Sequence, residues 1–387
     1  MLLFVACGNP PVITPIASSS PSPEVTPSVA PTASPAFPSP TAGGPTPPAP
    51  ATVKCTSQVP ASANLLLVRL RGTTGVTVRD ITNLSSPLSR CVINGTGTSY
   101  FRFVNASRVS YIITRSDGSG ALYLVDLLTQ HTSLVRAWTN GGSLYWVYAW
   151  SPDQNTLSYL SSNGDKVEWH ALSSAGDARL SDLGSVPGRG VDPNSDDVMI
   201  GFSADGKYVA LENTFSNSTG AAGKAPPFQV VRLSDHKLVY SRTAGTMATW
   251  ATNGALLYFR TTSGVESWDP SGATHVVIPQ GFKWIHPWPT PDGKLIAYVD
   301  AGAAGNHFPG YVRLSDKQAI RVSTRPRTGA AFLNSRLVWY AEESTCPAGC
   351  GLGGPALTGR TYIYDVVAKT ETASVISAFF DAWPKFS

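Results

Sequence analysis

Asp192, Asn194 and Asp196 are the most metal-like group of side chains in this sequence. They have the first, third and fifth spacing of a calcium-binding loop. Such a loop needs glycine at its sixth position and glutamate at its twelfth, where this chain has Asp197 and Ser203. We therefore expect a solvated acidic turn, with a weak cation site as the alternative.

Aromatic and imidazole side chains form a second candidate group. Trp284, His286 and Trp288 alternate along a predicted strand and so share one face. His307 and Phe308 stand at the tip of a glycine-rich loop. Indole and imidazole rings can stack on a sugar or hold a peptide, so these five are candidate ligand-binding residues. The alternative for the three on the strand is packing in the core.

Catalytic motifs are missing from the sequence. It contains no G-x-S-x-G elbow and no H-E-x-x-H helix. The stretch GCGLGG at 349–354 matches the residue pattern of a dinucleotide-binding loop. It lacks the structural context of such a loop, because cysteines flank it and a strand follows where a helix is needed. Asp153, Asp205 and Asp292 recur in Pro-Asp-Gly-like phrases, which predict β-turns. We predict no catalytic residue and no cofactor.

The composition indicates an all-β protein with many tight turns. Charged residues are 14% of the 387, against about 25% in an average globular protein. Glycine (35) and proline (31) are frequent, which suits tight turns. The net charge of +4 is small for this length and argues against a nucleic-acid partner.

Residues 8–53 differ from the rest of the chain. Glu24 is their one charged residue, and 14 of the 31 prolines precede position 51. Such a segment buries too little apolar surface to offset the entropy of ordering it. We predict a disordered Pro/Ser/Thr-rich tether at 8–53 and a folded domain at 54–387.

Two phrases repeat through the folded domain. The first is an aromatic anchor, a turn and an apolar strand, with spacings of about 40–50 residues that are typical of propeller blades. The second is a hairpin. Six anchors are visible in the sequence, at Phe103, Trp150, Phe202, Trp250, Trp288 and Phe332. Seven hairpins are visible, at 76–93, 122–138, 167–183, 228–241, 265–278, 311–323 and 361–376.

The missing seventh anchor stands at the end of the chain. DAWPKF, with Trp383, supplies the aromatic phrase that the first hairpin lacks. We therefore predict seven blades of four strands, closed by a C-terminal strand that completes the first blade. The phrases at Ser203–Leu211 and Thr290–Tyr298 resemble the PD40 repeats of TolB-type and WD40-like β-propellers. This resemblance implies the architecture and says little about activity.

The N-terminal residues 1–7, MLLFVAC, resemble the end of a bacterial lipoprotein signal peptide. In that family the peptide is cut before a cysteine that then carries lipid, which implies lipidation of Cys7. Phe4 stands where the family has Leu, Val or Ile. The charge-poor segment behind Cys7 suits a surface tether.

Four further cysteines remain and allow three disulfide pairings. We favour Cys55–Cys91 and Cys346–Cys350, because both pairs are local and an exported protein can form disulfides. Zinc bound by all four is the alternative, but it would want two close pairs.

These features predict an extracytoplasmic protein of the bacterial cell envelope, either lipid-anchored or secreted. We expect a monomeric, non-enzymatic scaffold that binds a protein or glycan partner, with membrane contact through the lipid alone. The alternative is an enzyme acting on glycans or lactones from the central channel, as some propellers do. A purely structural envelope component is a third possibility.

Overall fold

The structure is a computed structural model, and it describes the following residues: 46–60, 63–69, 74–83, 86–139, 142–163, 166–185, 198–213, 228–243, 248–252, 254–261, 264–279, 288–301, 306–344, 357–376 and 381–383. These residues form twenty-nine strands in seven antiparallel sheets. In this part of the chain there is no helix, and so none that could cross a membrane.

The strands alternate with short turns and longer connections. Their bounds in chain order are β1 (Thr52–Cys55), β2 (Leu65–Arg69), β3 (Val76–Asp80), β4 (Leu88–Asn94), β5 (Thr98–Asn105), β6 (Arg108–Thr114), β7 (Gly120–Asp126), β8 (His131–Trp138), β9 (Gly142–Trp150), β10 (Leu157–Asn163), β11 (Lys166–Ser173), β12 (Gly176–Ser185), β13 (Val198–Phe202), β14 (Tyr208–Asn213), β15 (Phe228–Arg232), β16 (Lys237–Arg242), β17 (Thr249–Trp250), β18 (Leu257–Thr261), β19 (Gly264–Trp268), β20 (Thr274–Pro279), β21 (Trp288–Pro289), β22 (Leu295–Ala301), β23 (His307–Arg313), β24 (Gln318–Arg321), β25 (Arg327–Phe332), β26 (Leu337–Glu343), β27 (Leu357–Asp365), β28 (Thr370–Ser374) and β29 (Asp381–Trp383).

The seven sheets are the blades of a β-propeller. Blades 2–7 contain four consecutive strands each, from β5–β8 to β25–β28, and blade 1 has the order β29-β2-β3-β4-β1. First strands of neighbouring blades, such as β9 and β13, contact one another at the centre of the ring. The predicted hairpins form the third and fourth strands of the blades.

The aromatic anchors lie on the inner strands, as the repeat predicts. Trp150, Phe202, Trp250 and Phe332 end their strands, Phe103 lies two residues before the end of β5, and all five are at most 6% exposed. Burying such large apolar side chains is the dominant favourable contribution to folding. The remaining two anchors are on β21 and β29, where the backbone alone is described.

The C-terminal strand closes the ring. β29 pairs antiparallel with β2, with Leu65 opposite Trp383 and Leu67 opposite Asp381. Buried apolar clusters then link each blade to the next, and one of them joins Leu66 of blade 1 to Phe332 and Tyr340 of blade 7. The predicted seven-bladed propeller, closed by its last strand, is confirmed.

Blade 1 carries a fifth strand that the sequence analysis did not predict. β1 pairs with β4, and the disulfide Cys55–Cys91 joins two residues that face each other in this ladder. That pairing is the one favoured from the sequence. The other predicted pair, Cys346–Cys350, lies outside the described residues.

The predicted end of the tether at residue 53 lies too late. Residues 46–51 pack against blade 2: the guanidinium of Arg115 donates to the carbonyls of Thr46 and Pro47, and the Tyr123 hydroxyl donates to that of Pro48. We call residues 46–51 the strap. Its proline-rich composition resembles a disordered segment, but its backbone carbonyls still accept hydrogen bonds from blade 2. Residues 52–53 of the predicted tether begin β1, and residues 8–45 lie outside the described residues.

Candidate functional site

The strand order gives the propeller two unlike faces. Neighbouring strands in each blade are antiparallel. One edge of each blade therefore contains the start of the inner strand, the end of the second, the start of the third and the end of the fourth. Short links such as 95–97 and 322–326 join consecutive blades at this edge, which therefore lies on one side of the ring. We call this side the loop face and the opposite side the turn face.

The turn face is closed by short connections, of which 81–87 is the longest. Asp153, Asp205 and Asp292 lie in its inner turns, and each accepts a hydrogen bond from the hydroxyl two residues earlier, at 2.5–2.6 Å. Gly206 supplies the positive φ of such a turn, at 70°. The prediction that these aspartates form turns is confirmed.

The loop face carries the long connections. Segments 186–197 and 280–287 link consecutive blades, while 214–227 and 344–356 link the second and third strands of blades 4 and 7. Each of these four is longer than any connection of the turn face. A rigid scaffold with variable loops on one side is a common arrangement for binding sites.

The structure describes some of the candidate residues from the sequence. His307 and Phe308 are the first two residues of β23, at its loop-face end, whereas Trp288 pairs with Ala297 close to the 290–294 turn of the turn face. Cys55 and Cys91 lie on β1 and β4, and the remaining candidates lie outside the described residues. Those outside the described residues are Cys7, Asp192, Asn194, Asp196, Trp284, His286, Cys346 and Cys350.

His307 and Phe308 each contact a charged residue. Nδ1 of His307 in blade 6 lies 2.8 Å from Oε1 of Glu343 in blade 7, and the Glu343 side chain is 3% exposed. The guanidinium carbon of Arg321 lies 4.6 Å from the centre of the Phe308 ring, a cation–π contact. The loop face therefore has an ionisable, partly aromatic edge where blades 6 and 7 meet.

A buried arginine extends this edge into blade 7. The Arg327 side chain is 2% exposed, lies 2.7 Å from Glu342 and covers the ring of Tyr362 at 4.1 Å. Arg327 and Glu342 face each other in the β25–β26 ladder, so their side chains share one side of the sheet. Glu342 and Glu343 are successive residues of β26, so the His307–Glu343 pair lies on the opposite side of this sheet. We call these two groups, His307 with Glu343 and Arg327 with Glu342 and Tyr362, the blade 6–7 polar cluster.

The cluster contains buried polar atoms with no hydrogen-bond partner, namely Nε of Arg327 and Oε2 of Glu343. The hydrogen bond from Thr358 lowers the pKa of Glu342, and the nearby charge of Arg327 lowers it further against the opposing effect of burial. Glu342 is therefore ionised at neutral pH. The cluster can accept hydrogen bonds from hydroxyl or ammonium donors.

A second polar network lies in blade 3. Asp177 accepts hydrogen bonds from Tyr159 at 2.5 Å and Arg136 at 2.7 Å, and Nδ1 of His170 lies 3.2 Å from its other oxygen. Burial works to raise the pKa of Asp177, but these three bonds lower it well below its usual value. The pKa of Glu168, in contact with His170, is lowered to about 2, chiefly by hydrogen bonds from Lys166 and Arg179.

The blade 3 network is structural in character, because each oxygen of Asp177 already has a partner. Neither it nor the polar cluster was predicted from the sequence. Their members come from different strands and blades, and no local motif joins them. Among the described residues, no group of three or more His, Cys, Asp or Glu side chains could hold a metal ion.

The fold and its loop face define a seven-bladed β-propeller with a candidate binding face. Similar solved structures include TolB from Acinetobacter baumannii, with 15% identity over 81% of this chain and 62% of that chain, and a TM-score of 0.43. A structure of prolyl endopeptidases has 12% identity over 84% of this chain and 49% of that chain, with a TM-score of 0.52. The propeller domain of the Trilobed protease from Pyrococcus furiosus has 10% identity over 71% of this chain and 82% of that domain, with a TM-score of 0.47.

At such identities these similarities show the fold alone. The chain spans 62% of the TolB chain and about half of the prolyl endopeptidase chain. No protein-family model matches the sequence, and no curated protein matches it.

Proposed function

We propose that this propeller is an extracytoplasmic binding module whose loop face holds a protein or glycan partner at the bacterial cell envelope. The observation that carries the proposal is the inequality of the two faces. All four long connections leave from one side, while the other side is closed by short turns. The buried side chains between the blades hold the strands rigidly in place. Only the loop face has long connections whose sequences can be adapted to a partner.

The blade 6–7 polar cluster supports the same face. Glu342 is ionised and accepts a hydrogen bond from Thr358, which is exposed to solvent. Phe308 offers part of an aromatic ring beside the exposed Arg321. Aromatic, carboxylate and guanidinium groups together are common in sites that bind peptides and sugars.

Catalysis is not part of the proposal. Glycoside hydrolysis needs two carboxyl groups about 5–9.5 Å apart with an open space between them. The carboxylates of the cluster are instead held by protein partners: Glu342 by Arg327, and Glu343 by His307.

Site-specific crosslinking tests the binding face. A photo-crosslinking amino acid at Phe308 should form adducts with envelope proteins or envelope polysaccharides. The matched control is the same amino acid at Val367, which is 70% exposed on the turn face. Adducts at both positions, or at Val367 alone, would contradict the proposal.

Loop replacement gives a second test. Glu212 and Phe228 already face each other at the ends of β14 and β15, so a two-residue Asn-Gly turn can replace 213–227 without disturbing the β14–β15 ladder. We expect unchanged melting and weaker partner binding. Equal binding by the variant and the parent would remove this loop from the interface.

The disulfide supports export, because such bonds persist in oxidising compartments. We also propose that Cys7 carries the lipid. Expressed with a complete signal peptide, the protein should partition into detergent, and Cys7→Ser should move it to the aqueous phase. Identical partition of the two proteins would rule out the anchor and leave the binding face untouched.

A further inference from the structure

A small cavity lies between blades 4 and 5. Its volume is about 60 Å³. Thr249 begins the inner strand β17, Phe228 begins β15, and Glu212 lies near the end of β14. Phe228 and Glu212 are at loop-face strand ends, whereas Thr249 pairs with Tyr258, one residue from the turn-face start of β18. The cavity therefore extends through the depth of the blades.

Two polar side chains line the cavity. Glu212 and Thr249 are each 5% exposed. Oε2 of Glu212 accepts a hydrogen bond from the Ala248 N–H at 3.0 Å. Oγ1 of Thr249 is buried and has no hydrogen-bond partner. A buried hydroxyl without a hydrogen-bond partner lowers the stability of the folded protein. A molecule in the cavity that hydrogen-bonds to this hydroxyl would remove that cost.

The rest of the lining is apolar, apart from the open side. Phe228, Trp250 and Leu257 are at most 2% exposed. Ile200 and Gly201 are the lining residues that are not buried, and both lie on the inner strand β13. The partly exposed residues of the lining are therefore on the innermost strand of blade 4.

We propose that this cavity binds a primary alkylammonium group. The ammonium carries three donors, which suit the carboxylate of Glu212 and the hydroxyl of Thr249. Its alkyl chain is matched by Phe228 and Leu257, and the indole of Trp250 favours a cation at its face. A neutral alcohol matches Thr249 but gains less from the carboxylate, because charge-assisted hydrogen bonds are stronger.

The ammonium can come from two sources. One is a free small amine from solution. The other is a lysine side chain of a protein partner, which carries the same ammonium group on a longer alkyl chain. The lysine source rests on the proposed function, whereas the site itself does not.

The site is tested by titrating the folded protein with n-propylammonium chloride, followed by calorimetry and by thermal melting. Equal concentrations of n-propanol and of sodium chloride are the controls. We expect saturable binding and a higher melting temperature with the ammonium alone. Propanol binding as tightly as the ammonium, or no saturable binding at all, would overturn the proposal and leave water as the occupant.

Three variants locate the binding. Glu212→Gln keeps an acceptor for Ala248 and should weaken binding about tenfold or more, since loss of a charged hydrogen bond has this effect. Thr249→Val keeps the shape and should weaken it severalfold. Glu266→Gln is the matched control, because Glu266 is a partly buried carboxylate of blade 5 that pairs with Arg242. Equal affinity in the parent protein and in Glu212→Gln would refute the site.

The lysine source is separated by Nα-acetyl-lysine amide, with the norleucine analogue as control. Binding of the lysine amide that Glu212→Gln abolishes supports capture of a partner's lysine. If propylammonium binds and the lysine amide does not, the cavity takes free amines only and capture of a lysine is refuted. If crosslinking at Phe308 fails while propylammonium binds, the proposed function falls and the ammonium site remains.

Discussion

Deleting residues 377–387 should open the ring, because the deletion removes β29, the innermost strand of blade 1. Leu65, Leu66 and Leu67 of β2 face β29 in the ladder and are each 0% exposed. Leu66 belongs to the cluster that joins blade 7 to blade 1, and the other two belong to the cluster shared with blade 2. Removal of one strand therefore weakens both neighbours of blade 1.

The cost can be worked from these leucines and the ladder. A fully buried leucine contributes about 1.5–3 kcal/mol relative to an exposed one, so half of the burial of three is about 2–4.5 kcal/mol. Each lost backbone hydrogen bond adds about 0.5–1.5 kcal/mol. With about three such bonds in a ladder of three residue pairs, the total of about 4–9 kcal/mol is comparable with the ~5–15 kcal/mol that stabilises a whole domain.

The assay is thermal melting by circular dichroism together with size-exclusion chromatography. We expect the truncated protein to lose its cooperative transition and to aggregate, because the edge of β2 is open. Adding the peptide 377–387 should restore the transition. Leu66→Ala should cost about 2–5 kcal/mol, whereas Leu357→Ala, at a residue 63% exposed, should change stability by about 0.5 kcal/mol at most.

A truncated protein that stays monomeric and melts at the same temperature would refute the reasoning. The β2–β29 ladder would then contribute nothing to the ring. A truncated protein that unfolds but gains nothing from the peptide would leave closure intact and show that the strand must be covalently attached.

Three further predictions follow from single contacts. Replacing Cys55 and Cys91 by serine should cost about 4 kcal/mol in the chain-entropy model for a 36-residue separation, measured by urea unfolding, and an unchanged midpoint would contradict it. The folded pKa of Glu168 is about 2 against 4.5 unperturbed, so its contribution is present at neutral pH and is lost as the pH falls from about 4.5 to about 2. Glu168→Gln should make the free energy of unfolding less dependent on pH in that interval. The same dependence below pH 4.5 in the variant and the parent would contradict a stabilising role of the Glu168 contacts. Gly310→Ala should lower stability by about 1–3 kcal/mol, because the added Cβ would overlap the ring of Tyr298; unchanged melting would show that this ring can move away.

The architecture could be predicted because every blade needs a buried aromatic residue on its inner strand, and the sequence repeats that residue. A buried aromatic such as Phe202 or Trp250, followed by a turn and an apolar strand, is a local pattern that each blade uses again. Trp383 completed the count because closure of a ring demands an inner strand for every blade. β1 escaped prediction because its neighbours in sequence are prolines and small residues, while its stability comes from β4 and the disulfide.

The candidate site was only partly predictable. His307 and Phe308 were chosen from their place in a loop, and the structure puts them at the loop face. Their partners Glu343 and Arg321 lie elsewhere in the chain, at distances that depend on how blades and strands align. Thr249 could not be chosen from the sequence, because whether a buried hydroxyl has a hydrogen-bond partner depends on which residues surround it in the folded protein.

The strap decides where the preceding chain leaves the propeller. Arg115, whose guanidinium donates to the carbonyls of Thr46 and Pro47, lies in the connection between β6 and β7 at the loop face. The chain that precedes residue 46 therefore joins the propeller at the loop face. A segment covalently linked to a site binds it intramolecularly, so that even a weak affinity can compete with a dissolved ligand. Any affinity of residues 1–45 for the loop face would thus compete with a dissolved partner, and affinities measured with and without them would differ although no contact of the propeller had changed.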